Sequence, residues 1–396
     1  MDFADLIAPL SEDEFLARYW NRAPVHLRRP DGANAREAIG WARLNELLAV
    51  RGHWTERHIK LVMNSRPVAP DFYMADVPQS QGGTERLADP ARVETFLAMG
   101  ASLVADQIED AAPEIRDLTA ALARRFAARA GANLYASFRG VQGFASHCDL
   151  HEVFAVHCAG EKRWRVYANR ADSPLEALHG EGAQAQIDAA KGPVLLDVTL
   201  RPGDVLYIPR GFFHDALASA ESSLHLTIGL APASGKSLFR LLEQAALADP
   251  AFRKYLHDAR EGEGSPLREQ LADLGDRLRA MVSQPAFFDE VHLAQARLAD
   301  PGHRLSLPER PALAHYARTN RPAGVERRPE GAVLRTPSGD VRLGLLAEVA
   351  EYALGRPAVS TQELAARFPH QDRAAIDGLV AGMERMQLIQ RYQPQL

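Results

Sequence analysis

Cysteine and lysine are both scarce in this chain of 396 residues. The two cysteines, Cys148 and Cys158, cannot form a disulfide framework, and they are too few for a zinc site built from four thiolates. We interpret them as small buried hydrophobic residues. Most basic residues are arginine, and the only lysines are Lys60, Lys162, Lys191, Lys236 and Lys254. A lysine at an unusual position is therefore worth explaining.

Long apolar segments are also missing. The N-terminal segment mixes acidic with apolar side chains, so it lacks the basic stretch and the apolar stretch of a signal peptide. No uninterrupted apolar run elsewhere approaches the length that spans a membrane. We therefore expect no membrane segment and a cytoplasmic location.

Neither sign of charge is in large excess. The formal net charge of −5 provides no general attraction to nucleic acid or to an anionic membrane, so any partner must be recognised locally. The hydrophobic content of 46% is typical of globular proteins, and the length allows two or three domains with separate cores.

Helical patterns precede a β-rich segment. Apolar residues recur at helical spacing in 13–20, 38–50 and 114–129, and Gly131 is expected to end the third helix. From Ala132 to Leu230 the apolar period changes to two, and turn signals separate predicted strands at 133–138, 152–158, 163–167, 194–200, 204–208 and 224–230. Many short strands with Gly and Pro corners predict an antiparallel barrel or jelly roll, which we interpret as the catalytic domain.

The pattern becomes helical again after Pro232. A seam of apolar side chains repeats at steps of four and three, at Leu267, Leu271, Leu274, Leu278 and Met281. Such a seam needs another helix to cover it. Two alternatives stay open, which are packing within the same chain and a helical homodimer interface.

A Pro- and Arg-rich connector at 308–329 leads to a last unit. Its predicted helices at 343–354, 361–367 and 373–386, followed by a strand at 388–392, are typical of a winged helix. The expected fold class is α+β. The expected domains are a β-barrel with N-terminal helices at 1–232, a helical domain at 233–305 and a winged-helix-like domain at 306–396.

His147 and Asp149 are the first candidate metal ligands. Alternate residues of an extended strand share a face, so an imidazole and a carboxylate can point at one ion. The candidates for a third ligand are His151, His157, His214 and His225. His214 is favoured because it follows a Gly-Asp turn, an apolar strand and a Pro/Gly bend, which is expected to place it at the end of a buried strand. Two imidazoles and one carboxylate leave positions open on iron(II), although zinc accepts similar ligands.

The segment 162–167 carries the second line of argument. Alternation puts Lys162, Trp164 and Val166 on one face and Arg163 with Arg165 on the other. If the Trp/Val face is inward, Lys162 is buried and needs an anion, which the far carboxylate of 2-oxoglutarate would supply. The alternative is that Lys162 lies at the strand mouth with its ammonium in water.

The same parity aligns three polar residues of the preceding strand. Asn133, Tyr135 and Ser137 share one face and could offer an amide, a phenol and a hydroxyl to the same ligand. Taken alone, they would be ordinary polar groups of a strand.

Together these motifs resemble a known family. Asn133-x-Tyr135, His147-x-Asp149, the segment 160–167 and the segment from Pro202 to His214 are similar to the JmjC-type cupin oxygenases, and within them to the ribosomal oxygenases. The resemblance implies a double-stranded β-helix (jelly-roll, cupin) barrel followed by a helical dimerisation region and a winged helix.

The resemblance also implies site roles and a reaction. His147, Asp149 and His214 would ligate iron(II), Lys162 and Tyr135 would bind the distal carboxylate of 2-oxoglutarate, and Asn133 and Thr227 would contribute to that pocket. With O2 as co-substrate, the enzyme would hydroxylate an arginine or histidine side chain of a ribosomal protein.

Two rival functions remain. One is a nucleic-acid-binding regulator with a sensor barrel, but 340–396 contains seven acidic residues against six arginines, a net charge of −1, so we do not expect direct DNA binding. The other is a zinc cupin isomerase with the same three ligands, which would leave Lys162 without a dicarboxylate. Succinate release that depends on iron(II) and O2 would separate both from an oxygenase.

Overall fold

The computed structural model describes residues 2–28, 39–50, 53–80, 82–138, 144–178, 182–299 and 314–392, with only the backbone for residues 144 and 218–221. Contacts divide the chain into two compact units, Met1–Pro232 and Ala233–Leu396. The further boundary predicted near residue 305 lies outside the described residues. No described helix combines the length and the apolar content needed to cross a membrane.

The helices of the first unit flank its strands. They are α1 Phe3–Ile7, α2 Glu12–Arg18, α3 Trp41–Leu48, α4 Pro90–Ala98, α5 Pro113–Phe126 and α6 Ala183–Ala190. The prediction that Gly131 ends the third predicted helix is wrong. That helix is α5, and it ends where Ala127 adopts a left-handed conformation (φ 45°, ψ 48°), so Gly131 belongs to the following strand.

The strands of the first unit form one large antiparallel system and a separate hairpin. They are β1 Val25–Leu27, β2 Ile59–Met63, β3 Arg66–Pro67, β4 Met74–Pro78, β5 Thr84–Ala88, β6 Ser102–Ala105, β7 Ala128–Phe138, β8 Phe144–His147, β9 Glu152–Arg170, β10 Val194–Leu200, β11 Val205–Ile208 and β12 Phe212–Pro232. Strands β4 and β5 form the hairpin. The antiparallel β architecture predicted from the sequence is confirmed.

Two long strands, β9 and β12, each have two halves with different partners. The first half of β9 pairs with β11 and with the second half of β12, which in turn pairs with β7. The second half of β9 pairs with β10 and with the first half of β12, which also pairs with β8. The two halves of β9 and β12 therefore belong to one continuous sheet, and side chains from both halves line one cavity.

A single glycine lies between the two halves of β9. The sequence predicted separate strands at 152–158 and 163–167, whereas β9 is continuous. Gly160 has φ +69°, and a Cβ at this position would lie 1.9 Å from the carbonyl oxygen of Ser222 on β12. Only glycine fits this close approach. The turn signal in the sequence therefore marks a bend within one strand.

Strand β12 also differs from its prediction. The sequence pattern predicted a strand only at 224–230, and His214 was expected at the end of the preceding strand. In the structure β11 ends at Ile208, and His214 is the third residue of β12. The Pro/Gly bend, where Gly211 has φ +85°, therefore lies between β11 and β12 and precedes the histidine.

The N-terminal helices pack onto the barrel strands through aromatic residues. The ring of Phe15 lies 4.9 Å from that of Tyr207 and 5.8 Å from that of Phe154, centroid to centroid. The Tyr207 hydroxyl accepts a hydrogen bond from the backbone N–H of Asn21 (2.8 Å). These contacts bury Phe15, Phe154 and Tyr207 almost completely, and they make the N-terminal segment part of the barrel core.

The second unit combines helices with two small sheets. Its elements are α7 Lys236–Ala248, α8 Ser265–Val282, α9 Pro285–Leu298, β13 His315–Arg318, β14 Gly324–Arg328, β15 Gly331–Thr336, β16 Gly339–Arg342, α10 Ala347–Leu354, β17 Ala358–Ser360, α11 Thr361–Arg367, α12 Arg373–Arg385 and β18 Ile389–Arg391. The sheets have the orders β17-β13-β18 and β14-β15-β16.

The predicted connector at 308–329 is wrong in its described part. Strands β13 and β14 lie within it, and β14 continues into an antiparallel hairpin with β15. Its prolines misled the prediction because Pro322 and Pro329 flank β14 without interrupting it. The helices predicted for the last unit correspond to α10, α11 and α12, with small differences at their ends.

Helix α8 carries the leucine seam, and none of its residues is buried. Leu271 in the middle of the seam is 50% exposed. Within the described part of the chain, the seam is therefore not fully covered.

Candidate metal centre

Three side chains converge at the register point where β8 meets β12. His147 is the last residue of β8, Asp149 follows two residues later, and His214 pairs with His147 across the two strands. One potential ligand atom from each residue lies within 4.8 Å of the others. Nε2 of His214 is 3.4 Å from Oδ2 of Asp149. The structure therefore brings together the three residues that the sequence singled out as a metal site.

Each imidazole is oriented by a carbonyl of its own strand. Nδ1 of His147 is 2.9 Å from the carbonyl oxygen of Ala145, and Nδ1 of His214 is 3.0 Å from that of Phe212. We assign the ring proton to Nδ1 in both cases, because only an N–H can donate to a carbonyl. Nε2 of each ring is then left as a lone pair for an ion.

The protonation states also suit metal binding. Burial, and then the neighbouring His147, lower the pKa of His214 to about 4. Desolvation would raise the pKa of Asp149, but His214, His147 and His151 outweigh it and hold that pKa below its ordinary value. A neutral imidazole and an ionised carboxylate are the forms that ligate a metal.

Asp215, the next residue after His214, points to the opposite face of β12. It is buried, and burial alone would raise its pKa. Hydrogen bonds from Tyr167, Arg165 and Ser146 outweigh that effect and hold the pKa below its ordinary value. Asp215 was not among the predicted site residues, although its place beside His214 was a usable signal.

The converging triad opens into a cavity of about 460 Å³. The predicted site residues all line it: His147, Asp149, His214, Lys162, Tyr135, Asn133 and Thr227. Further polar or titratable lining residues are Gln107, Glu109, Arg129, Ser137, His151, Trp164 and His225. The cavity therefore combines the metal-ligand triad with one buried lysine.

Lys162 points into this cavity, as the alternation of its strand predicted. Its side chain is 7% exposed, so the alternative of an ammonium in water at the strand mouth is wrong. Arg163 and Arg165 lie on the other face, where they pair with Asp197 and Asp215.

The environment of Lys162 is poor in negative charge. Within the described residues no carboxylate forms an ion pair with it, and burial lowers its pKa to about 7. Its Nζ lies 3.5 Å from Nδ1 of His225 and 5.9 Å from the ring centroid of Trp164. An anionic ligand would satisfy this group, since an unpaired buried ammonium is unfavourable.

Tyr135 and Asn133 form a connected pair on the cavity face of β7. Oδ1 of Asn133 accepts a hydrogen bond from the backbone N–H of Gln107 (3.2 Å), and its side chain is also hydrogen-bonded to Tyr135. Burial raises the pKa of the Tyr135 phenol, so the phenol stays protonated. Ser137, on the same face, accepts a hydrogen bond from Ser102 (3.0 Å). Thr227 is the register partner of Asn133 on β12.

His225 is the most prominent cavity residue to which the sequence analysis gave no role beyond candidate ligand. Its ring stacks on Tyr135 at 4.8 Å with an interplanar angle of 10°, and it meets Trp164 edge-on at 5.5 Å. Burial, and then Lys162 and His157, lower its pKa well below the ordinary value. His225 and Thr227 are two residues apart on β12 and therefore share a face. This spacing could have placed His225 in the cavity from the sequence. Glu109 and Gln107 lie outside any strand and had no such signal.

The other two candidate ligands do not join the triad. His151 lines the cavity, but its Nδ1 is 3.2 Å from the carbonyl oxygen of Glu152. His157 is fully buried away from the cavity lining, and Nε2 of its ring is 3.0 Å from the carbonyl oxygen of Gly160. Burial lowers the pKa of His157 to about 4, as expected for a neutral core histidine.

The lining of this cavity falls within a known domain, since residues 107–238 match the family model of the JmjC domain. The chain contains a JmjC domain. The resemblance of the sequence motifs to JmjC-type domains is therefore confirmed for residues 107–238.

Relatives of the JmjC-domain chain have informative names. It is 33% identical over 228 residues to "Ribosomal oxygenase 1" of Gallus gallus, covering 57% of this chain and 36% of that protein. It is 28% identical over 232 residues to "Bifunctional lysine-specific demethylase and histidyl-hydroxylase NO66" of Drosophila persimilis, covering 57% of this chain and 31% of that protein. The chain thus spans about a third of the length of these curated relatives.

Among solved structures, the JmjC-domain chain is similar to YcfD, a ribosomal oxygenase from Escherichia coli. The identity is 17%, the match covers 97% of this chain and 99% of that chain, and the TM-score is 0.49.

Proposed function

We propose that this chain is an iron(II)- and 2-oxoglutarate-dependent oxygenase that hydroxylates a protein side chain. One observation carries the proposal. A triad of two histidines and one carboxylate lines the same cavity as a buried lysine with no carboxylate partner among the described residues. The triad suits a divalent ion, and the lysine suits a small dicarboxylate that also reaches that ion.

His147, Asp149 and His214 would hold the iron. Three ligands on one side of an ion leave its remaining positions open for a chelating acid and for O2. Both imidazoles present Nε2 because a backbone carbonyl occupies each Nδ1. The chemistry of this donor set therefore fits iron(II). Similar groups also hold zinc, so the choice of iron(II) depends on the dicarboxylate that Lys162 would bind.

Lys162 would bind the distal carboxylate of 2-oxoglutarate. The Tyr135 phenol, kept protonated by burial, would donate a second hydrogen bond to that carboxylate. Asn133 would act mainly by orienting Tyr135, and Thr227 would add a hydroxyl from the facing strand. These four residues lie on the neighbouring strands β7, β9 and β12, so a rigid sheet would fix the ligand.

Iron(II) with bound 2-oxoglutarate supplies the oxidation: O2 is consumed, 2-oxoglutarate becomes succinate and carbon dioxide, and a hydroxyl replaces a hydrogen of the substrate. The chain contributes binding, orientation and exclusion of water. Trp164 and His225 pack against each other and against Lys162 or Tyr135 in the cavity, which limits the room for water beside the dicarboxylate.

The substrate class follows from the names of the relatives. We infer a histidine side chain of a ribosomal protein from relatives called a ribosomal oxygenase and a histidyl-hydroxylase, with arginine as the alternative that the resemblance of the sequence motifs implies. The chain spans only part of those proteins, so the substrate class is inferred from the relatives and not from the fold.

The second unit would serve assembly and docking. The incompletely covered seam of α8 supports a homodimer interface. Helices α10 to α12 with β17 and β18 support a winged-helix-like module. Its net charge of −1 favours protein contacts over direct DNA binding. We also place the enzyme in the cytoplasm, as the sequence pattern predicts.

The deciding experiment is hydroxylation of ribosomal proteins. Purified protein, ribosomal proteins, iron(II) and 2-oxoglutarate should yield succinate and a peptide heavier by one oxygen atom in mass spectrometry. His147→Ala should abolish both products. A zinc isomerase or a nucleic-acid-binding regulator would release no succinate under any of these conditions, and that result would refute the proposal.

A further inference from the structure

One buried carboxylate lies behind the two strands that carry the histidines. Asp215 follows His214 on β12, and Ser146 precedes His147 on β8. Successive residues of a strand point to opposite faces. Asp215 and Ser146 therefore meet on the face opposite to the imidazoles, with Ser146 Oγ donating a hydrogen bond to Oδ2 of Asp215 at 2.8 Å.

Asp215 accepts hydrogen bonds from a third strand as well. The Tyr167 hydroxyl donates to its Oδ2 at 2.6 Å, and Nε of Arg165 donates to its Oδ1 at 2.8 Å. Tyr167 and Arg165 belong to β9. One carboxylate thus connects β8, β12 and β9 directly behind the triad.

Ser146 is held from outside by the end of α6. Nζ of Lys191 donates to Ser146 Oγ at 3.1 Å and lies 4.6 Å from the ring centroid of Tyr167. Ser146 can therefore accept from Lys191 while donating to Asp215. This orders the network and leaves the Asp215 oxygens as acceptors only.

Backbone pairing alone holds β8 weakly. This strand has four residues and, within the described part of the chain, pairs with β12 alone. The register between β8 and β12 is irregular immediately after His214. A short edge strand with an irregular register can slip, and any slip of β8 would move His147 relative to His214.

We propose that Asp215 is a positioning residue that fixes the separation of the two histidine ligands and thereby sets the affinity of the triad for its metal ion. The inference rests on the metal centre of the proposed function, but not on the co-substrate or the substrate. Ser146, Arg165 and Tyr167 donate hydrogen bonds to the two carboxylate oxygens of Asp215. In Asp215→Asn the amide NH2 group replaces one of these oxygens and faces a donor, so at least one of the hydrogen bonds is lost.

The test uses the full-length protein, freed of metal and titrated with Co(II) alone. The affinity and the visible absorption of Co(II) are measured for wild type, Asp215→Asn and Ser146→Ala. Asp197→Asn is the matched control, because Asp197 on β10 pairs with Arg163 of β9 in an exposed ion pair. Asp204→Asn is the stability control, because Asp204 is buried and hydrogen-bonded to His26 but does not line the cavity.

Loss of a residue that orients metal ligands typically weakens binding about 10- to 100-fold. We expect a loss in this range for Asp215→Asn with an altered Co(II) spectrum, a smaller loss for Ser146→Ala, and wild-type affinity for Asp197→Asn. Equal Co(II) affinity in Asp215→Asn and wild type would overturn the inference. An equal loss of Co(II) affinity in Asp204→Asn, with both variants equally destabilised, would also overturn it, because the effect would then follow from lower stability alone.

Two further outcomes remain decisive. If Asp215→Asn does not fold, Ser146→Ala decides alone, and an unchanged Co(II) affinity in it overturns the inference. If wild type binds Co(II) no better than His147→Ala, the proposed metal centre itself is wrong. If wild type binds Co(II) tightly and Asp215→Asn binds it equally well, the metal centre stands and only the role of Asp215 is refuted.

Discussion

Nζ of Lys162 lies 3.5 Å from Nδ1 of His225 in the cavity. Two basic side chains are thus neighbours in a buried place, and burial lowers the pKa of both. Without a ligand the pair is short of negative charge. A dicarboxylate would reverse this, because its carboxylate favours the charged ammonium.

Binding of 2-oxoglutarate should therefore take up a proton. The pKa of Lys162 is about 7 in the ligand-free chain, so at pH 8 most molecules would have to protonate this amine on binding. We expect uptake of about one proton per ligand at pH 8 and an affinity that falls about tenfold per pH unit above 7. Calorimetry of the manganese-loaded protein in buffers of different ionisation enthalpy measures both quantities.

In Lys162→Met the proton uptake should vanish. Uptake that persists in this variant would assign the proton to another group, and no uptake in wild type would mean that Lys162 is already charged without its ligand.

The same substitution should separate function from stability. Lys162→Met should weaken 2-oxoglutarate binding by on the order of 100-fold or more, since the carboxylate loses its buried partner, and it should leave the affinity for Mn(II) unchanged. The folded-state pKa of Lys162 lies below the unfolded value of 10.5, so folding is destabilised below that value, and stability rises with pH from about 7 to about 10.5. Ligand-free Lys162→Met should lose this rise.

At pH 7 the variant should be more stable than wild type by on the order of a few kcal/mol. Urea unfolding at several pH values measures this difference in the free energy of unfolding. Lys60→Met is the control, because the Lys60 side chain is 56% exposed and pairs with Asp106. A wild type whose stability does not change between pH 7 and 10 would contradict the assignment.

Strand parity explains why the inner residues were predictable. In an extended chain the side chains alternate, so fixing Trp164 as inward also fixes Lys162 as inward and both flanking arginines as outward. The same rule aligned Asn133 with Tyr135. Parity needs no knowledge of the other strands, which is why single-strand patterns were sufficient here.

Relations between strands were not predictable in the same way. The contacts of Asp215 with Ser146 and Tyr167 depend on which strands are neighbours and in which register. No local pattern contains that information. The helix end at Ala127 was missed for a related reason, since an alanine in the left-handed conformation has no composition signal and the nearby Gly131 has a strong one.

Gly160 should be the most sensitive glycine of the barrel. In Gly160→Ala the new Cβ clashes with the carbonyl oxygen of Ser222, so β9 and β12 must separate. The positive φ at this position is also unfavourable for alanine. We expect a loss of about 3 kcal/mol or more in the free energy of unfolding. Gly203→Ala is the matched control. It also has a positive φ, of +90°, but its Cβ has nothing within 4 Å.

Gly203→Ala should lose only about 1–2 kcal/mol, the cost of the backbone conformation. Urea unfolding followed by circular dichroism compares the two variants. Equal losses would mean that the close approach of β9 to β12 does not limit the substitution.

Leu271 should decide the state of assembly. It lies in the middle of the seam on α8 and is 50% exposed, and Phe239 and Phe288 of the same unit are 73% and 71% exposed. Apolar surface of this kind is typical of an interface. In Leu271→Lys a charge would have to be buried between two copies, so we expect a monomer by light scattering at micromolar concentration, against a dimer for wild type.

Lysine forms helices well, so Leu271→Lys should keep the helix content and the metal affinity of wild type. Leu175→Lys is the matched control, because Leu175 in the first unit is 55% exposed and lies outside the seam; this variant should remain a dimer. If Leu271→Lys also remains a dimer, the interface lies elsewhere. If wild type is a monomer at tens of micromolar, the homodimer interface is refuted, and the partly exposed seam is covered by packing within the same chain alone.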